Sequence, residues 1–177
     1  LRVFGKEGEL NPSYHLQLAV SQSPPGDRFE PNDSFAAATD LGALGNRTEA
    51  GLSIHFPAND DYYRFTAATS GTFIADVLFS QLAGDIDAAL YDTNQTRLSY
   101  SDSRSSNERI VWSVVAGQTY YLHAYGYSGA MNPSYTLQLL VSQPPVADRF
   151  EPNDDFAVAS DLGPVGSRTE ASLSIHD

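Results

Sequence analysis

The sequence predicts an all-β protein, an antiparallel β-sandwich of about eight strands, and three observations point to it. Short runs rich in β-branched and aromatic residues recur along the chain. Clusters of Gly, Asn, Asp and Ser separate them at the intervals of a sandwich, and within the runs apolar and polar side chains alternate. The only helical signal is Phe35-Ala36-Ala37-Ala38, where Asp33 or Ser34 stands ready to cap a turn or two.

The strands are expected near residues 50–55, 61–67, 71–79, 85–92, 96–101, 108–115, 118–126 and 133–141. Period-two spacing assigns their inward faces. Phe73, Ala75, Val77 and Phe79 share one side of the third strand, and Ile86, Ala88 and Leu90 one side of the fourth. Ile110, Trp112 and Val114 share a face of the sixth, and Tyr135, Leu137, Leu139 and Val141 alternate in the last. Thr93-Asn94-Gln95 and Ala116-Gly117-Gln118 supply turn chemistry between runs.

The chain also repeats itself at an offset of 121 residues without a gap. Asp27-Arg28-Phe29-Glu30-Pro31-Asn32-Asp33 recurs as Asp148-Arg149-Phe150-Glu151-Pro152-Asn153-Asp154, and Asn11-Pro12-Ser13-Tyr14 recurs as Asn132-Pro133-Ser134-Tyr135. Of the 56 overlapping positions, 36 are identical. The expected organisation is therefore tandem: residues 1–26 close one repeat, 27–147 form a complete one, and 148–177 open a third. Ser23-Pro24-Pro25-Gly26 and Gln143-Pro144-Pro145-Val146 read as stiff linkers, because proline lacks the N–H a sheet ladder needs.

A net charge of −12, with Lys6 the only lysine, argues against nucleic acid and anionic lipid as partners and favours cations. No run of ~18 apolar residues is present, so membrane insertion is not expected. The absence of cysteine removes disulfides, thiolate metal sites and cysteine nucleophiles together.

The sharpest chemical feature is the head motif Asp27 to Asp33, which sets three carboxylates and an amide beside a proline. All are hard oxygen donors of the kind calcium takes in sixes to eights. Asp60 and Asp61, which open the strand Tyr62-Tyr63-Arg64-Phe65, are the natural remote donors. Asp61 shares a face with Tyr63 and Phe65 and so points towards the sandwich edge. The alternative is a solvated turn in which Asp33 caps the short helix.

Four motifs in order, Asp27 to Asp33, Asp61-Tyr62-Tyr63-Arg64-Phe65, Gly84-Asp85-Ile86-Asp87-Ala88-Ala89-Leu90-Tyr91-Asp92 and Ala116-Gly117-Gln118-Thr119-Tyr120-Tyr121-Leu122, resemble the bacterial pre-peptidase C-terminal domain family. The collagen-binding domains of clostridial collagenases are related to it. The resemblance implies a jelly-roll-like sandwich, secretion and, as in the collagen-binding relatives, bound Ca2+. By position the ligands would be Glu30, Asn32, Asp33 and Asp61, with Glu151, Asn153, Asp154 and Asp148 as the head of the following repeat. Arg28 stands where those relatives carry a further Glu, and Ala58 where they carry an Asp, which leaves Asp27 and Asp60 as substitutes.

Two further sets deserve placing. Tyr121, His123, Tyr125 and Tyr127 alternate with Tyr120, Leu122 and Ala124. They form either a row that grips an extracellular protein or glycan, as surface tyrosines of the collagen-binding relatives do, or part of the packing. Asp85 and Asp87, with Asp92 and Asp102 further on, either hold another ion or face solvent.

Catalysis is not expected. The histidines do not recur as pairs, there is no nucleophile elbow, zinc-protease helix or phosphate loop, and adjacent Asp60 and Asp61 diverge by pleat. The function expected is a non-catalytic calcium-binding bead of a secreted or cell-surface bacterial array or fibre, in contact with neighbouring repeats. The alternative is a collagen- or polysaccharide-targeting accessory domain of a secreted peptidase or other hydrolase.

Overall fold

In a computed structural model, residues 2–18, 26–143, 148–153, 155–164 and 166–173 are described. Both proline-rich linkers fall largely outside these, as does Asp154. Residues 39–142 fold as a sandwich of two sheets.

Nine strands build it: β1 (Thr39–Leu44), β2 (Asn46–Ile54), β3 (Asp60–Ala67), β4 (Gly71–Leu78), β5 (Ile86–Tyr91), β6 (Arg97–Ser101), β7 (Glu108–Val114), β8 (Thr119–Gly126) and β9 (Asn132–Ser142). One sheet has the order β1-β3-β8-β5-β6 and the other β2-β9-β4-β7. All pairings are antiparallel except β1 with β3.

The expected strands correspond to β2 through β9. β1 was not expected, because its apolar residues do not alternate. Leu41 and Leu44 are both buried but stand three apart, and a register shift between Asp40 and Ala43 absorbs the odd residue. Gly42 takes φ 71° inside that bulge, and its N–H is held by Asp40 Oδ1 at 2.9 Å. The turn or two expected after Asp33 or Ser34 is a single turn, with Ala37 N–H donating to Ser34 O at 3.0 Å and Ser34 Oγ 3.3 Å from the same nitrogen. Three alanines and one aromatic cannot offset the cost of nucleating a helix without an amphipathic face to bury.

The inward faces follow the expected alternation. Phe65 stacks on Phe73 across the two sheets at 4.6 Å between ring centroids, and Leu90, Leu122, Leu137 and Ile110 complete a continuous core. Trp112 lies in the inward register but stays 37% exposed, because β7 is an edge strand with cover on one side only.

Register fixes which loops meet. Asp60 pairs with Tyr125, Ile86 with Gly126, Ile54 with Asn132 and Val77 with Glu108. The loops 55–59, 79–85, 102–107 and 127–131 therefore gather at one pole of the sandwich. The head motif joins them there, since Tyr62 N–H donates to Asn32 O at 2.9 Å.

Candidate metal centre

The head motif is shaped by its own side chains before any long-range contact forms. Asp27 Oδ1 accepts the Phe29 N–H at 2.9 Å, and Glu30 Oε2 accepts the Asn32 N–H at 3.3 Å. Asp27 Oδ2 then takes the Ser53 N–H of β2 at 2.8 Å, which fastens the motif to the sandwich. Gly26 lies so close that a Cβ there would stand 2.6 Å from Glu30 Cγ and 3.0 Å from His55 Cε1.

Glu30, Asn32, Asp33 and Asp61 are brought together. Asn59, fully buried in the β2–β3 loop, donates from Nδ2 to Glu30 Oε1 and to Asp33 Oδ1, each at 2.9 Å. The same nitrogen lies 3.5 Å from Asp61 Oδ1, and Asn59 Oδ1 accepts the His55 N–H at 2.8 Å. One end of the Asn32 carboxamide lies 3.1 Å from Glu30 Oε2 and 3.3 Å from Asp61 Oδ1. With its NH2 turned to that side Asn32 donates to both carboxylates. With its carbonyl there, three oxygens face one another and need a cation between them.

Asp61 is fully buried at the inner face of β3. The Tyr135 hydroxyl donates to its Oδ2, and Tyr135 in turn lies 2.7 Å from the Tyr63 hydroxyl. Burial pushes the Asp61 carboxyl up to about 8, the Tyr135 hydrogen bond pulls it down, and the charges of Asp27, Glu30 and Asp33 add to the rise. Among the described residues no arginine pairs with Asp61 to relieve this. Arg28 reaches Glu49 and the Ala50 carbonyl, Arg47 also pairs with Glu49, Arg64 with Asp40, and Arg109 with Asp76. His55 Nδ1 lies 3.0 Å from Glu30 Oε1, but without the alignment of a hydrogen bond.

Two expected donors are placed differently. Asp60 is on the opposite face of β3, its Oδ2 3.2 Å from His123 Nε2, because the pleat separates it from Asp61. It does not join the cluster. Asp27 borders the cluster with both oxygens already engaged by backbone N–H groups. Asn59, Tyr63 and Tyr135 were not singled out from sequence. The signal available for Asn59 was a second amide two residues before Asp61, and for the tyrosines their inward register.

The second copy of the motif makes the same local turn. Phe150 N–H donates to Asp148 Oδ1 at 2.9 Å, Asn153 N–H to Glu151 Oε2 at 3.1 Å, and the Arg149 guanidinium lies 4.6 Å from the Phe150 ring centroid, as Arg28 lies 4.4 Å from Phe29. No described residue there plays the part of Asp61.

The tyrosine row is cross-strand packing on the outer face rather than core between the sheets. Tyr121, His123 and Tyr125 lie on the outer face of the five-stranded sheet, opposite buried Tyr120, Leu122 and Ala124. There Tyr62 stacks on His123 at 4.1 Å, His123 on Tyr125 at 4.6 Å, and Phe35 covers Tyr62 and Tyr121 at 4.6 and 5.3 Å. Tyr127 lies beyond the strand and is 53% exposed.

Among the described residues no three histidine, aspartate or glutamate side chains stand together in a group that could by itself hold a metal ion. At the head motif the amides of Asn32 and Asn59 are interposed between the acids. No helix among the described residues is long and apolar enough to cross a membrane.

No family model and no curated protein matches the chain. Among solved structures, the pre-peptidase C-terminal domain of a collagenase from Bacillus anthracis is similar at 23% identity and a TM-score of 0.47, covering 58% of this chain and 93% of that one. The Aeromonas hydrophila PliG, a periplasmic inhibitor of g-type lysozyme, matches at 10% identity and a TM-score of 0.43, covering 59% and 97%. A family 35 carbohydrate-binding module from an environmental isolate matches at 12% and 0.32, covering 71% and 92%.

Proposed function

We propose that the central repeat is a non-catalytic, calcium-binding β-sandwich module, one bead of a tandem array in a secreted or cell-surface protein. The observation that carries this reading is the convergence of Glu30, Asn32, Asp33 and Asp61 at one pole with no arginine among the described residues paired to them. A hard divalent ion is the counter-charge such a set wants.

The oxygen spacing supports the fit. Ligands at ~2.4 Å from calcium and roughly 75–90° apart sit about 2.9–3.4 Å from one another. The Asn32 carboxamide end lies 3.1 and 3.3 Å from its two carboxylate neighbours. Glu30, Asn32, Asp33 and Asp61 would hold the ion, Asn59 and Tyr135 would orient their carboxylates, and calcium would supply fixed positive charge that ties the head motif to β3.

Thermal melting of the full chain in EGTA and in calcium tests the reading. At a hundredfold excess over Kd, calcium adds about 2.7 kcal/mol, roughly 10 °C in Tm for a domain of this size. The combination Glu30→Gln with Asp61→Asn abolishes that rise. An undiminished rise in the double variant places the ligands elsewhere.

The second reading, an accessory domain that holds a secreted hydrolase to its substrate, is supported by Tyr127 and the aromatic outer face. It requires saturable binding of collagen or a polysaccharide that Tyr127→Ala weakens.

A further inference from the structure

The same pole carries a second set of oxygen donors, 50 residues along the chain from the first. Asp85 precedes β5 and Asp87 lies within it, flanking the inward Ile86. Both therefore project on the outer side of the five-stranded sheet. Asp87 pairs with Tyr125 on one side, and the Ala88–Ser101 pairing puts Asp102 beside it on the other.

Asp87 is only 4% exposed, yet among the described residues none donates a hydrogen bond to it. Asp85 Oδ1 and Gln81 Oε1 are fully buried without a donor, and they are the only side-chain oxygens among the described residues in that condition. Buried acceptors almost always have partners, so two such oxygens in one short stretch, beside the buried Asp87, signal a ligand. The charge around them is uniformly negative. Glu108, 1% exposed, is fixed as an acceptor of the Ser101 and Ser103 hydroxyls and the Ser103 N–H. Burial first, then Asp85, Glu108 and Asp102, push the Asp87 carboxyl up to about 6. Arg104, in the adjoining loop, makes no ion pair with any of them, and the Arg97 guanidinium lies over the Tyr100 ring at 4.6 Å.

The segment is also held in place. Asn132 donates from Nδ2 to the carbonyls of Ser80 at 3.2 Å and Gly84 at 2.8 Å, and the Gln81 N–H donates to Ser106 Oγ at 3.1 Å. Unsatisfied oxygens on a pinned loop are a preorganised arrangement.

We propose that Asp85, Asp87 and the Gln81 side-chain carbonyl form a second site for a hard divalent cation, with Asp102 and Glu108 adding charge. Two carboxylates and an amide leave room for water ligands, which calcium keeps readily. The site is independent of the head motif and stands whether or not that motif binds calcium.

The experiment uses the full chain carrying Glu30→Gln and Asp61→Asn, so that the head motif is disabled, with Mn2+ as the paramagnetic probe in NMR. Substoichiometric Mn2+ is expected to broaden the amide signals of Asp85, Asp87, Asp102 and Tyr125 selectively, and excess calcium to restore them. Adding Asp85→Asn and Asp87→Asn should abolish the broadening. These two changes keep side-chain shape and remove buried unpaired charge, so the Tm in EGTA should not fall. Uniform or absent broadening of these signals in the head-disabled chain overturns the proposal, and that result does not depend on how the fourfold variant folds.

Discussion

Raising the pH of a calcium-free solution forces a charge onto the buried Asp61 carboxyl. Its carboxyl stands at about 8 in the folded protein against an ordinary value of 3.8. An acid with a raised folded-state pKa holds its proton better when folded. The resulting stability is complete below the unfolded value and is lost as pH climbs to the folded one. Between pH 6 and 8 the loss is about 2 kcal/mol, or roughly 6–10 °C in Tm. Asp87, pushed up to about 6, adds only ~0.4 kcal/mol in that window, and Asp40 and Glu49, both held below their ordinary values, lose their contribution only in acid. The assay is differential scanning calorimetry in EGTA at half-unit pH steps. Asp61→Asn should flatten the slope, and so should saturating calcium, which keeps the carboxylate ionised and releases its proton on binding. A pH-independent Tm in the wild-type chain, or an unchanged slope in Asp61→Asn, would refute the burial argument.

Other perturbations read the same site from different sides. Tyr135→Phe removes the hydroxyl that donates to Asp61 and should lower stability in urea by about 1.5–3 kcal/mol with an unchanged m-value. Asn59→Asp replaces the bridging amide with a carboxylate beside Glu30 and Asp33. It should lower the Tm in EGTA and enlarge the calcium-induced rise, whereas equal Tm values in EGTA would show the amide bridge to be unimportant. Gly26→Ala drives a Cβ against Glu30 and His55 and should cost about 1–3 kcal/mol while shrinking the calcium response. Leu137→Ala, deep in the core, should cost about 2–5 kcal/mol with the calcium increment intact.

The sandwich was legible where side chains alternate. The runs Phe73 to Phe79, Ile86 to Leu90 and Tyr135 to Val141 each place one face in the core, and period two reports that directly. β1 escaped because Leu41 and Leu44 are brought inward by a bulge at Gly42, and a bulge shifts the period. The start of β2 escaped because Asn46 to Glu49 carry the polar residues of an edge strand, with Arg47 and Glu49 paired along it. In the site, the acids were picked out by spacing, but spacing also offered Asp60 as a donor, and the pleat turns it away from Asp61 towards His123. What sequence could not show was the role of neutral donors. Asn59, Tyr63 and Tyr135 look like turn and core residues until the fold directs their N–H and O–H groups at carboxylates. The outward projection of Asp85 and Asp87 was readable from their alternation with Ile86 and Ala88, but the burial of Asp87 on that outer side was not.

A crystal structure grown with calcium, its ions located by anomalous scattering, reaches the central claim most directly. The account predicts a peak bounded at ~2.3–2.6 Å by oxygens of Glu30, Asn32, Asp33 and Asp61, with the Asn32 carbonyl turned inward. A head motif without a peak, its carboxylates still bridged by the Asn32 and Asn59 amides, would contradict it.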